Sequence, residues 1–168
     1  MSRLGTMLKK GFLLVMAAGC CAVPVLAQQY DIGGDVTVVT ADRLVFDYSK
    51  QYALFEGNVV VNDPDMKLTA ASLIIKFTAE NDVKSIVAKT DVVIEQEDKR
   101  AEAGVAAYDV VSGKMVLEDN PRVRRGKDIL TGDTITFWRD ENKMICEPRA
   151  RLIIFPQEGG ARASLIGE

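Results

Sequence analysis

Histidine is missing altogether from the 168 residues, and with it the side chain most used for proton transfer near neutral pH. Cysteine is scarce: Cys20 and Cys21 fall in the N-terminal stretch, and Cys146 stands alone in an alternating run beside Met144, where a thiol serves as a small core side chain. One cysteine and no histidine build no zinc site, and a single thiol closes no intrachain disulfide. There is no Gly-rich phosphate loop and no nucleophile elbow. Carboxylates are plentiful, but Asp42, Asp47, Asp91, Asp119, Asp133 and Asp140 fall at expected strand ends or turns, where acids make local hydrogen bonds. Excess positive charge is lacking too, since the formal net charge is −3 and the part beyond residue 27 holds 18 basic and 24 acidic residues. Catalysis, a cofactor, a metal and nucleic-acid binding are therefore not expected.

Helical periodicity is also absent between residues 36 and 155, and period two takes its place. In the stretch 102–138, Met115 and Leu117 alternate with Lys114, Val116 and Glu118, and Ile135 and Phe137 alternate with Thr134, Thr136 and Trp138. Ser112-Gly113, Asp119-Asn120-Pro121 and Gly126-Lys127-Asp128 interrupt the runs, because Gly, Asn and Asp tolerate positive φ and Pro cannot donate to a ladder. One apolar and one polar face describe a half-covered antiparallel sheet. The pattern repeats. Thr40-Ala41-Asp42, Thr69-Ala70-Ala71, Glu102-Ala103-Gly104 and Thr131-Gly132-Asp133 open similar units at intervals of 29, 33 and 29 residues. Each opening leads to a strand, a turn (Tyr48-Ser49-Lys50, Glu80-Asn81-Asp82, Ser112-Gly113, Asp140-Glu141-Asn142) and a returning strand, so each unit reads as a hairpin.

The expected strands are 36–39, 43–48, 53–55, 58–61, 67–69, 72–78, 85–88, 91–96, 105–110, 114–118, 122–124, 129–131, 134–139, 144–147 and 151–155. So many short strands argue an all-β sandwich, barrel or solenoid. Ahead of them, Arg3, Lys9 and Lys10 precede the apolar run from Gly11 to Ala18, and Val25-Leu26-Ala27 offers a cleavage site before Gln28. Residues 1–27 therefore read as an export signal. The alternatives are a transmembrane anchor, for which the run is shorter than the ~20 residues needed, and a lipid-modified Cys20 or Cys21. Residues 28–156 form one domain, and 157–168, with Gly159-Gly160, is a patternless tail expected to fray.

Several elements, in this order and spacing, resemble the periplasmic lipopolysaccharide-transport proteins of the LptA/OstA family. They are Ala41-Asp42, Phe55-Glu56-Gly57-Asn58-Val59-Val60-Val61, Lys67-Leu68-Thr69-Ala70-Ala71-Ser72-Leu73, Tyr108-Asp109 with Val116-Leu117, and Leu130-Thr131-Gly132-Asp133-Thr134-Ile135-Thr136. One departure is Asp119-Asn120-Pro121, where the family often repeats Gly-Asn. The resemblance implies a twisted β-jellyroll, an open sandwich of repeated antiparallel hairpins. It also implies a periplasmic carrier that holds the acyl part of lipopolysaccharide (lipid A) between its sheets. Head-to-tail assembly into a bridge between the membranes follows from it, with related jellyroll domains of inner- and outer-membrane transport proteins as partners.

The alternation puts Phe46, Tyr48, Val59, Val61, Leu73, Ile75, Val92, Ile94, Tyr108, Val110, Met115, Leu117, Ile135 and Phe137 on the inward face, and the resemblance makes them the lipid lining. As plain core packing they would look the same. The first and last expected strands, 36–39 and 151–155, lack the inward charges or prolines that blunt an edge, which suits copy-to-copy pairing. Arg122, Arg124, Arg125 and Lys127 are the one dense basic cluster, a solvated hairpin tip or a contact for lipid phosphates. Other readings are a membrane-anchored docking module of the same export pathway and a structural solenoid without lipid cargo.

Overall fold

The computed structural model describes residues 36–156, all within one compact unit, Gly33–Glu168. The expected signal, the cysteines within it and the expected tail lie outside the described residues. Every regular element among the described residues is a strand: β1 (Val38–Thr40), β2 (Arg43–Asp47), β3 (Tyr52–Asn62), β4 (Lys67–Phe77), β5 (Val83–Gln96), β6 (Lys99–Asp109), β7 (Lys114–Glu118), β8 (Arg122–Arg125), β9 (Asp128–Thr131), β10 (Thr134–Trp138), β11 (Lys143–Glu147) and β12 (Arg151–Ile153). All pair antiparallel in one continuous sheet.

Strands β3 to β6 run 11, 11, 14 and 11 residues, about twice the usual length, because each passes through both layers of a sandwich. Their pairings shift register between Glu56 and Val59, Thr69 and Ser72, and Lys89 and Val92. At the first and last of these corners two residues of one strand oppose one of its neighbour, and at the middle one Thr90, Asp91 and Val92 oppose Ala70 and Ala71; each extra residue is a bulge that bends the strand. Short strands flank the long ones in pairs. Strands β2 and β1 take successive halves of β3, and β7 and β8 take successive halves of β6.

The first layer is thus β2, residues 52–56, 72–77, 83–89 and 105–109, then β7, β10 and β11. The second is β1, residues 59–62, 67–70, 92–96 and 99–103, then β8, β9 and β12. Neither layer closes on itself. The fold is an open, all-antiparallel β-jellyroll-like sandwich, with β1 and β2 at one edge and β11 and β12 at the other.

Residues that look like turns make the corners. Gly57 and Asn58, Thr90 and Asp91, Asp119 and Asn120, and Arg149 all have positive φ, while the facing corners are the small residues Ala41, Ala70-Ala71, Ala103-Gly104 and Gly132. Backbone hydrogen bonds stitch one corner to the next: Asp42 N–H donates to Gly57 O at 2.9 Å, Gly104 N–H to Asp119 O at 2.8 Å, and Asp133 N–H to Pro148 O at 3.1 Å. The four expected turns do connect β2 to β3, β4 to β5, β6 to β7 and β10 to β11.

Several expectations are corrected. The runs 53–55 and 58–61 form one strand, as do 67–69 with 72–78 and 85–88 with 91–96, because the partner ladder continues past each bulge. Residues 99–103, unassigned above, are the first half of β6, held in the sheet by pairing to both β5 and β8. Asp91 therefore sits inside β5, in its bulge. The four repeat openings are corners of the sandwich, and at two of them an added methyl would collide with a neighbour, at Gly104 with the Asp119 carboxylate and at Gly132 with the Cys146 thiol.

Candidate functional site

Three ladders of apolar side chains line the space between the layers, and pair registry makes each continuous from edge to edge. In the first layer Leu44, Phe55, Leu73, Ala88, Ala106, Leu117, Ile135 and Cys146 follow one another across the sheet. Two residues along, Phe46, Ala53, Ile75, Ile86, Tyr108, Met115, Phe137 and Met144 form the second. In the other layer the third runs Val39, Val61, Leu68, Ile94, Ala101, Val123, Leu130 and Leu152. No charged residue interrupts any of them.

The middle of this interior is tightly shut and its ends are not. Leu73, Ile135, Val59 and Val92 are each 1% exposed, and burying such a side chain contributes about 1.5–3 kcal/mol. At the first edge Leu44 and Phe46 are 55% and 42% exposed, although both continue buried ladders. At the far edge Met144 and Leu152 are 37% and 41% exposed. The sheet edges simply run out there, leaving interior-facing side chains with no neighbour strand to cover them.

Of the inward-facing residues picked from the sequence, Phe46, Val61, Leu73, Ile75, Ile94, Tyr108, Met115, Leu117, Ile135 and Phe137 stand on these ladders. Val59 and Val92 lie beside the corners, opposite Ala70 and Ala103. Two are differently placed. Tyr48 is 84% exposed, because β2 ends at Asp47, whose carboxylate accepts hydrogen bonds from Ser49 and Lys50 N–H and turns the chain; its ring lies tilted against Phe46, centres 4.5 Å apart. Val110 follows the end of β6, with its N–H donated to Lys84 O. Val39, Phe55, Leu68, Ile86, Val123 and Leu130, the edge residues Leu44, Met144 and Leu152, and the ladder alanines were not among those picked; a lone Ala carries little apolar signal until its ladder neighbours are known.

The three ladders carry no charge, but one acid is buried beside them: Asp128, 3% exposed, whose carboxylate accepts a hydrogen bond from Phe155 N–H at 2.9 Å. Burial, with Asp133 nearby, pushes the Cys146 thiol above its usual range, and its Sγ lies 3.4 Å from Thr131 O as a weak donor. Trp138 faces outward between Lys114 and Lys143, whose ammonium groups lie 5.6 and 5.3 Å from the ring centre. Within the basic cluster Arg122–Arg125 is strand β8, in keeping with the strand expected over 122–124, and it pairs with both β6 and β9 instead of forming the hairpin tip. Only Gly126 and Lys127 remain in the turn. No group of three or more His, Cys, Asp or Glu side chains able to hold a metal ion occurs among the described residues. What the arrangement offers is a long apolar lining, accessible at two ends.

Comparison with known proteins agrees with this geometry. Residues 38–143 match the family profile described as LptA/(LptD N-terminal domain) LPS transport protein. The fold is similar to that in the crystal structure of LptH, the LptA homologous periplasmic component of the conserved lipopolysaccharide transport device from Pseudomonas aeruginosa, at 20% identity and a TM-score of 0.66, over 73% of this chain and 96% of that one. No curated protein sequence matches the chain. The profile runs from the start of β1 into β11 and so takes in nearly all of both layers, and on that ground the chain belongs to the LptA/(LptD N-terminal domain) family of LPS transport proteins.

Proposed function

We propose that this chain is a non-catalytic periplasmic carrier that holds the acyl part of lipopolysaccharide between its two layers and passes it along a head-to-tail row of copies from inner to outer membrane. The observation that carries the reading is the unbroken run of the apolar ladders to both edges, with Leu44 and Phe46 exposed at one and Met144 and Leu152 at the other. At about 0.8 kcal/mol per buried CH₂, a long acyl chain costs on the order of 10 kcal/mol to carry bare through water. A multi-chain lipid needs a covered route, and a sandwich with open edges supplies one without any reaction.

Head-to-tail contact follows from the same edges. One copy's β11 and β12 meet the next copy's β2 and β1, so that each ladder continues into its neighbour. Such a contact is heterologous and does not close, so it propagates. The periplasmic siting is supported by the basic and apolar leader and by the compartment stated for LptH.

Photo-crosslinking tests the cargo. A crosslinker at Tyr108 or Phe137, on the inner ladder, is expected to label lipopolysaccharide, whereas one at Lys114 or Thr136, on the outer face of neighbouring positions, is not. Equal labelling from both pairs would sink the reading.

A further inference from the structure

The outer face of the second layer carries a feature that lipid carriage does not use. Arg122 and Arg124 stand two apart in β8 and project together from its solvent side. Across the ladder they face Glu102 and Arg100 respectively. Arg100 is already engaged: its Nε donates to Glu102 at 2.7 Å and its guanidinium also pairs with Glu95. Arg122 and Arg124 are exposed and make no side-chain ion pair or hydrogen bond among the described residues. The four side chains Arg100, Glu102, Arg122 and Arg124 enclose a cavity of about 80 Å³, open to solvent.

The charge balance of this face is the reverse of the chain's. Lys67, Arg100, Arg122, Arg124 and Arg151 share it with only Glu95 and Glu102, in a protein of net charge −3. The Arg100 hydrogen bond, then the charges of Arg100, Arg122 and Arg124, hold the Glu102 carboxyl below its usual range. Glu95 and Glu102 between them engage Arg100, which leaves two guanidinium forks uncommitted. We propose that this cavity is a binding site for a phosphomonoester group, with Arg122 and Arg124 as the binding residues and Arg100, fixed by Glu95 and Glu102, as the positioning residue.

Two free forks about 7 Å apart along the strand suit a tetrahedral group better than a planar one. A carboxylate presents one edge and occupies one fork, while a phosphomonoester offers three oxygens and a charge near −2 that two guanidinium groups balance. The site faces away from the apolar interior, so its ligand is distinct from the acyl chains held inside. The phosphate can belong to a lipid headgroup or to a soluble compound, and the test separates the two.

The chain without residues 1–27 is titrated with inorganic phosphate by calorimetry, and in parallel sedimented with phosphatidylcholine vesicles with and without phosphatidic acid. Binding in the first arm identifies a soluble ligand; binding only to the vesicles carrying phosphatidic acid identifies a headgroup. In either arm Arg122→Gln/Arg124→Gln is expected to weaken binding about tenfold or more. Arg124→Lys keeps the charge but loses the fork and is expected to weaken it several-fold. Arg43→Gln, on the other layer, leaves it unchanged. Circular dichroism melts confirm that each variant is folded. A parent protein that binds in neither arm, or a folded double variant that binds as the parent does, overturns the proposal.

Discussion

Replacing Gly57 by alanine tests how the corners hold the two layers in line. Gly57 has φ +77° and faces Asp42 across the first corner. A left-handed conformation costs an alanine about 1–2 kcal/mol. The new methyl would also lie well inside contact distance of the Asp42 carboxylate, which accepts a hydrogen bond from Asn58 Nδ2 at 2.8 Å. Asp42 has to swing away, and the lost bond adds about 0.5–1.5 kcal/mol. Gly57→Ala is therefore expected to destabilise by about 1.5–3.5 kcal/mol, the sum of the backbone cost and the lost bond.

The two contributions separate in a double-mutant cycle. With Asp42→Ala already in place the collision is gone, and Gly57→Ala should cost only the backbone part, leaving a coupling of about 1 kcal/mol. Gly104→Ala supplies the converse case, since its methyl meets the Asp119 carboxylate but its φ lies outside the left-handed region. Urea unfolding reports each value from the shift in midpoint at unchanged slope. A Gly57→Ala cost that is the same with and without Asp42 would refute the corner account.

Three further outcomes are expected. Ile135→Ala, at 1% exposure between Leu117 and Cys146, should lose about 2–5 kcal/mol in the same urea assay, as a core truncation that leaves a cavity. The Asp47 carboxyl, held down to about 2 by hydrogen bonds from Ser49 and Lys50, should titrate there by NMR, and Ser49→Ala should bring it back toward 3.8. Because the folded value is the lower one, the stability it lends is present above about 3.8 and is lost as pH falls toward 2. Ile153→Pro in edge strand β12 should shorten concentration-dependent oligomers, since it removes a ladder donor; light scattering that finds a monomer at every concentration, with residues 157–168 present or deleted, would count against the head-to-tail row.

The sequence by itself determined the strand class, the four hairpin turns and which residues share a face, because period two is a local property of the backbone and Gly, Asn and Asp mark reversals wherever they fall. It also carried the family resemblance, through the order of short elements between Ala41 and Thr136. Only the tertiary structure decided that Gly57-Asn58 bends a strand instead of ending it: the two cases share their residues and differ in whether the partner ladder continues, as it does at Val59 and Ala70. The same holds for residues 99–103, where Ala101 and Ala103 between Lys99, Arg100 and Glu102 carry too little apolar signal to read as a strand until β5 and β8 pair on either side. Registry across the sheet likewise joined Leu44, Phe55 and Leu73 into one ladder and set Arg122 and Arg124 against Arg100 and Glu102. Such contacts join residues far apart in the chain, and no local pattern encodes them.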